Sequence, residues 1–168
     1  MLISKEYAEL NKQLHATRPD YGNKADMWSD DIFTMATALK TESILDYGCG
    51  KAALAKTLPY QIQSYDPAIT AYESRPRPAD LVVCCDVLEH VEPEYLDNVL
   101  DDLHDLTKIV VYMTVATIPA KKSLADGRNA HLTVENYKWW LRKLWDRFEM
   151  TNYQNFDKKL FCFVGTPL

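Results

Sequence analysis

The chain has 168 residues, 47% of them hydrophobic and 26% charged, with a net charge of −5 and a pI near 5.3. This is ordinary globular composition, enough for one domain with a sizeable core. The acidity excludes broad nonspecific nucleic-acid binding, and no apolar run reaches membrane length.

The first predicted element is a helix over 4–14, with Tyr7, Leu10 and Leu14 on one face. The stretch HATRPDYGNKADMW follows, where Pro19 and Gly22 break the pattern. A second helix is predicted over 29–39, with Ser29 as its N-cap and Ile32, Phe33, Ala36 and Leu39 on one face. A strand over 43–46, a tight turn and a helix over 51–58 come next, then a strand over 61–65 stopped by Pro67. Residues 69–80, with Pro76 and Pro78, read as loop. The continuous apolar run over 81–85 predicts a strand covered on both faces. Pro93 opens a helix in which Leu96, Val99, Leu100 and Leu103 are spaced i, i+3, i+4 and i+7. A strand over 109–115, a polar loop over 118–130, an aromatic-rich helix over 133–148 and a hairpin of 150–156 with 160–164 complete the chain.

Strands alternating with helices predict an α/β fold: a three-layer, mostly parallel sheet closed by an antiparallel C-terminal hairpin. Ligands bind such sheets beyond the carboxyl ends of the strands, at the topological switch point. The stretch SILDYGCGKAALAKTL at 43–58 lies at such an end. Gly48 and Gly50 let its backbone bend sharply and approach a ligand. Asp46 precedes them, and Asp66 ends the next strand 20 residues later, where nucleotide-binding folds place a carboxylate on ribose hydroxyls. The third glycine of the dinucleotide fingerprint G-x-G-x-x-G is absent, which argues against NAD and for a nucleoside carrying an amino-acid tail.

Charge is unevenly placed. Residues 80–107 hold nine acids and no Lys or Arg, and residues 108–147 hold eight basic residues against three acids. These are either solvated helix faces or, for the basic stretch, a surface that helps hold an anionic substrate. The cysteines, Cys49, Cys84, Cys85 and Cys162, form no CxxC pair and fit buried thiols of a reducing compartment. With no signal-peptide pattern, a cytoplasmic protein is expected.

The segments LDYGCGKAAL, YDPA, DLVVCCDVLEHVEP and IVVYMTV together resemble a class I S-adenosylmethionine-dependent methyltransferase, from residue 43 to the C-terminus. The resemblance implies a Rossmann-like fold: one domain over 1–168, with a helical cap over 1–42 and a cofactor-binding core over 43–168. It implies that Asp46, Gly48, Cys49 and Gly50 cradle the methionine part and ribose, that Asp66 holds the ribose hydroxyls, and that Asp86 faces cofactor and reaction centre. Two departures stand out. Ala52 takes the place of a third motif glycine. Only 20 residues separate Asp66 from Asp86, so the family's third strand and its adenine-contacting residue are expected to be missing. The loop over 69–77 is then expected to rebuild the adenine side. The second strand becomes an edge that a loop, the N-terminal segment or a dimer partner must cover.

Methyl transfer is an in-line displacement needing alignment and, for some acceptors, proton removal. Candidates are Asp86 and His90 in DVLEH, and His131 as general base, substrate-orienting group or cap of the following helix. Arg128 and Asn129 are candidates for substrate contact. Asp86, Glu89, His90 and His131 also resemble the metal set of small-RNA 2′-O-methyltransferases, which would suit a divalent ion. The same residues hydrogen-bond and pack without metal in many methyltransferases. His15 is read either as part of a cofactor lid or as plain packing, and His104 as surface. Trp139, Trp140 and Trp145 read as core and rim.

The expected activity is O- or N-methylation of a small molecule, by a monomer or homodimer acting away from membranes. The alternatives are a metal-dependent nucleic-acid or nucleotide 2′-O-methyltransferase and a noncatalytic cofactor-binding module.

Overall fold

The computed structural model describes residues 1–18 and 27–168; the expected breakers Pro19 and Gly22 lie outside them. The elements are α1 (Lys5–Thr17), α2 (Ser29–Leu39), β1 (Ile44–Tyr47), α3 (Ala53–Thr57), β2 (Gln63–Tyr65), β3 (Ala79–Cys85), α4 (Leu96–Leu106), β4 (Thr107–Ala116), α5 (Tyr137–Trp145), β5 (Phe148–Phe156) and β6 (Leu160–Pro167). They form a six-stranded sheet in the order β2-β1-β3-β4-β6-β5, parallel through β4 and antiparallel for β6 and β5.

The sheet carries an apolar layer on each face, as expected for a continuous apolar strand such as Leu81–Val82–Val83 at its centre. On one face Leu100 and Leu103 of α4 and Trp140 and Leu144 of α5 pack with Val82 and Met113. On the other, Ile32 and Ala36 of α2 and Leu54 of α3 pack with Leu81 and Val83. Trp140 is fully buried and Trp145 is exposed, as a core-and-rim reading of the tryptophans requires.

No strand lies outside β2 among the described residues, so the shortened connection has removed the family's third strand. The edge is short and covered. The Gln63 side chain donates to Arg77 O at 3.2 Å and accepts from Arg77 N at 3.1 Å, replacing the missing ladder with its own amide. The Arg75 guanidinium reaches the buried Asp102 carboxylate on α4, which also accepts from the Tyr47 hydroxyl at 2.9 Å.

Several boundaries differ from sequence expectation. Ser29 is the first residue of α2 rather than its cap. α3 spans only five residues. α5 starts at Tyr137 because Asn136 takes the cap, accepting from the N–H groups of Lys138 and Trp139. His131 therefore does not cap this helix.

The β5–β6 turn is tight. Asp157 (φ 52°) and Lys158 (φ 58°) are both left-handed, and Lys159 N–H closes on Phe156 O at 3.0 Å. This is a type I′ turn built without glycine. Both residues are exposed, so Lys158→Gly relieves strain and loses no packing. It is expected to stabilise the protein by about 1 kcal/mol, a rise of roughly 2–4 °C in Tm by thermal melting.

Candidate functional site

The chain passes from β1 to β2 on one side and then returns to lay β3 on the other side of β1, so a crevice opens over their carboxyl ends. A cavity of about 620 Å³ sits there, within the range of sites that enclose small ligands. The ends of β1, β2, β3 and β4 and the start of β6 all reach it. β6 contributes because its antiparallel register sets Leu160 beside Ala116.

The turn after β1 is held from within the protein. Gly48 (φ 75°) and Gly50 (φ 53°) occupy the left-handed region, as does Ala52 (φ 52°). Gly48 N–H and Cys49 N–H donate to Tyr65 O at 2.7 and 3.0 Å, and Gly50 N–H donates to Asp66 Oδ2 at 3.1 Å. These three donors are spent on the protein, so the turn is not the N–H cradle that a pyrophosphate needs.

What the turn presents instead is acidic. Asp66, whose other oxygen accepts from Ala68 N–H at 2.9 Å, lines the cavity and keeps further lone pairs for hydroxyl donors. Asp46 is 1% exposed and directly precedes the lining residues Tyr47 and Gly48 without lining the cavity itself. Its Oδ2 has no hydrogen-bond partner among the described residues. Burial, and then the charge of Asp66, pushes the Asp46 carboxyl up to about 7. With its N–H donors spent and Asp66 at the wall, the turn fits a hydroxyl-bearing nucleoside better than a dinucleotide pyrophosphate. The four cysteines are buried and reduced, and burial raises the thiol of Cys49, the one in the turn.

Asp86 follows β3 with φ 61°, a left-handed residue at a cavity wall. Glu89, three residues on, is fully buried. Its Oε1 accepts from Ala116 N–H at 2.8 Å and its backbone carbonyl from Thr133 N–H at 3.0 Å. Burial and the nearby Asp86 push its carboxyl well above the ordinary range. Glu89 therefore ties the end of β4 and the segment before α5 to the loop after β3.

His90 and His131 meet edge to face, ring centroids 4.8 Å apart. His90 Nδ1 lies 2.7 Å from Ala130 O and His131 Nδ1 2.6 Å from Ile118 O. A carbonyl only accepts, so each Nδ1 carries a hydrogen, and Nε2 is the ring position left for other contacts. Glu89, His90 and His131 bring ligand-type atoms within 4.8 Å of one another; Asp86 is not in that group.

The N-terminal helix roofs the cavity. Ser4 caps α1 by accepting from Tyr7 N–H, and Ser4 itself donates N–H and Oγ–H to Glu92 at 2.8 and 2.6 Å. Tyr7 is 2% exposed, and its hydroxyl, which lacks a partner among the described residues, belongs to a cavity-lining side chain. His15 also lines the cavity; burial, then Lys51, lowers its pKa to about 4, so it is neutral at pH 7.

Other candidates sit elsewhere. The Arg128 guanidinium pairs with Asp126 in its own turn, at 2.6 Å. The Asn129 amide is spent on both backbone groups of Ala120 and on His131 N–H, at 2.9 Å each. Neither lines the cavity. None of residues 69–77, the loop expected to rebuild the adenine side, lines the cavity; Pro67, just before it, does. Sequence reading missed Tyr7, Glu92, Val87 and Lys159, all at the cavity wall, where Lys121 of the basic stretch also lies.

A family model described as "Methyltransferase domain" matches residues 21–159. No curated protein matches. Among solved structures, the N-methyltransferase NodS from Bradyrhizobium japonicum, in complex with S-adenosylhomocysteine, is 13% identical, with TM-score 0.61 over 98% of this chain and 99% of that one. The 1,6-didemethyltoxoflavin-N1-methyltransferase of Burkholderia thailandensis is 14% identical, with TM-score 0.62 over 96% and 89%. The magnesium protoporphyrin IX methyltransferase of Synechocystis is 12% identical, with TM-score 0.60 over 86% and 84%. At these identities the likeness is one of fold.

Proposed function

The chain belongs to the methyltransferase-domain family, as a class I S-adenosylmethionine-dependent enzyme, and from this premise we propose that it methylates an oxygen or nitrogen of a small molecule. The observation that carries the reading is the turn after β1, whose N–H groups are spent internally while the buried Asp66 carboxylate at the cavity wall keeps lone pairs for hydroxyl donors. Two of the three structural neighbours carry a small-molecule acceptor in their names, which supports an acceptor of that class.

Gly48, Cys49, Gly50, Asp66 and Asp86 would hold the cofactor, with the buried Asp46 next to the turn. When bound, S-adenosylmethionine supplies an electrophilic methyl group on a positively charged sulfur. Asp66 receives the ribose hydroxyls while it braces Gly50. Asp86 faces the reacting centre and favours positive charge there. The proton leaving the acceptor goes to His131 Nε2, the ring being fixed by Ile118 O on its other nitrogen. His90, packed edge to face against it, holds that ring in place. The Ser4–Glu92 staple keeps α1 over the cavity and water out.

The cluster of Glu89, His90 and His131 favours a second reading, in which a divalent ion held there lowers the pKa of an acceptor hydroxyl. Calorimetric titration with S-adenosylhomocysteine, followed by turnover with and without chelator, tests both. Wild type is expected to bind, and Asp66→Asn to bind about tenfold more weakly. His131→Gln is expected to lower kcat by about a hundredfold with cofactor affinity intact. Absence of binding by wild type would overturn the proposal. Activity lost to chelator and restored by Mg²⁺ or Mn²⁺ would move the second reading to first place.

A further inference from the structure

The charge of the cavity wall follows the order of the sheet. Over β2, β1 and β3 the ionisable wall residues include the carboxylates Asp66 and Asp86. Over β4 and β6 they are Lys121, Lys122, His131 and Lys159, and from Ala116 to Leu160 no lining residue is a carboxylate. In a chain of net charge −5 this local reversal is not the average surface.

The lysines come from two segments that the fold fastens together. Thr117 N–H donates to Lys159 O at 2.8 Å, and its hydroxyl donates to Lys158 O at 2.6 Å. The Asn129 amide grips both backbone groups of Ala120, next to Lys121. The strained Asp157–Lys158 turn delivers Lys159 to the same wall. Among the described residues neither Lys121 nor Lys159 has an ion-pair partner. The same side of the wall carries the apolar residues Ala116, Ile118, Pro119 and Leu160. Such a wall suits a ligand with an anionic group at one end and an apolar body.

We infer that the methyl acceptor is a small anion whose carboxylate or phosphate lies between Lys121 and Lys159, with its nucleophilic atom toward His131 and Asp86. This deepens the proposed function and rests on it. Lys121 and Lys159 then determine specificity, and the cationic cofactor end and the anionic acceptor attract each other across the cavity.

The test uses the full chain saturated with S-adenosylhomocysteine and two matched probe pairs, phenyl phosphate against phenol and benzoate against benzyl alcohol. Calorimetry should give the charged member of each pair an advantage of about tenfold at low salt, shrinking near ~0.15 M salt. In Lys121→Gln/Lys159→Gln the advantage should vanish while S-adenosylhomocysteine binds as in wild type. Equal binding of charged and neutral probes, or an advantage that survives the double substitution, overturns the inference. So does lysine-dependent binding of a single-stranded oligonucleotide tighter than phenyl phosphate, which would assign the lysines to a nucleic-acid acceptor. Failure of S-adenosylhomocysteine itself to bind is a different result, and counts against the proposed function.

Discussion

Asp46→Asn is expected to flatten the dependence of unliganded stability on pH. Asp46 is buried, its Oδ2 is unpartnered, and its carboxyl rises from 3.8 to about 7 on folding. A group whose pKa is raised by folding binds its proton more tightly in the native state. Its contribution is therefore full below about pH 4 and is lost as pH climbs toward 7. At about 1.4 kcal/mol per unit, the loss from this one residue is roughly 4 kcal/mol. Asp66 and Glu89 are shifted in the same direction, so some slope remains in the variant. Urea melts of the unliganded protein between pH 4 and 8 measure the difference. An identical loss of stability in wild type and variant would sink the assignment.

The same substitution should act oppositely on binding. A cationic ligand in the cavity beside Tyr47 and Gly48 favours the ionised form of the adjoining Asp46, so the Tm gain from S-adenosylmethionine should grow from pH 6 to 8 in wild type. In Asp46→Asn that gain should be smaller and flat. A variant stabler than wild type at pH 8 yet weaker in binding is what a strained functional carboxylate predicts.

Much of this site was legible because its signals are local. Asp46, Gly48 and Gly50 sit within five residues, and Asp66 falls at the end of the next strand whatever the loop between does. The apolar run of β3 and the spacing of Leu96, Val99, Leu100 and Leu103 report burial directly, and those residues are core. The 20-residue gap between Asp66 and Asp86 is too short for the family's extra helix–strand unit, so the missing edge strand could be counted out.

The rest depended on contacts between distant residues. Thr133 reads as a helix start, but its N–H goes to Glu89 O and its hydroxyl to Val91 O, leaving the cap to Asn136. Arg128 and Asn129 read as substrate contacts because they are polar and near a strand end, yet Arg128 is consumed by Asp126 two residues away and the Asn129 amide by the backbone of Ala120 across the loop. Tyr7 reads as an apolar helix position. It reaches the cavity because Ser4 is stapled to Glu92, 88 residues away, and no local pattern encodes that pairing.

Gly48→Ala should abolish cofactor binding, through two separable costs. The first is conformational: φ is 75°, a region where a Cβ costs roughly 1–2 kcal/mol. The second is steric. A Cβ on residue 48 would stand 2.5 Å from Val87 Cγ2 and 2.7 Å from Cγ1. Val87 is β-branched and has few rotamers to retreat into. It directly follows Asp86, so the added methyl would drive the end of β1 away from the end of β3, across the crevice where the cofactor must lie. A displacement of about 1 Å there is enough for a hundredfold loss. Val87→Ala removes the clash but not the φ strain, which makes the two costs measurable. In Gly48→Ala/Val87→Ala the combined destabilisation should fall short of the sum of the single variants by about 1 kcal/mol or more, and part of the S-adenosylhomocysteine affinity should return. Additive effects would show that Gly48 is needed for its backbone angle alone. A Gly48→Ala single variant with wild-type affinity would show that the two loops do not have to touch for the site to form.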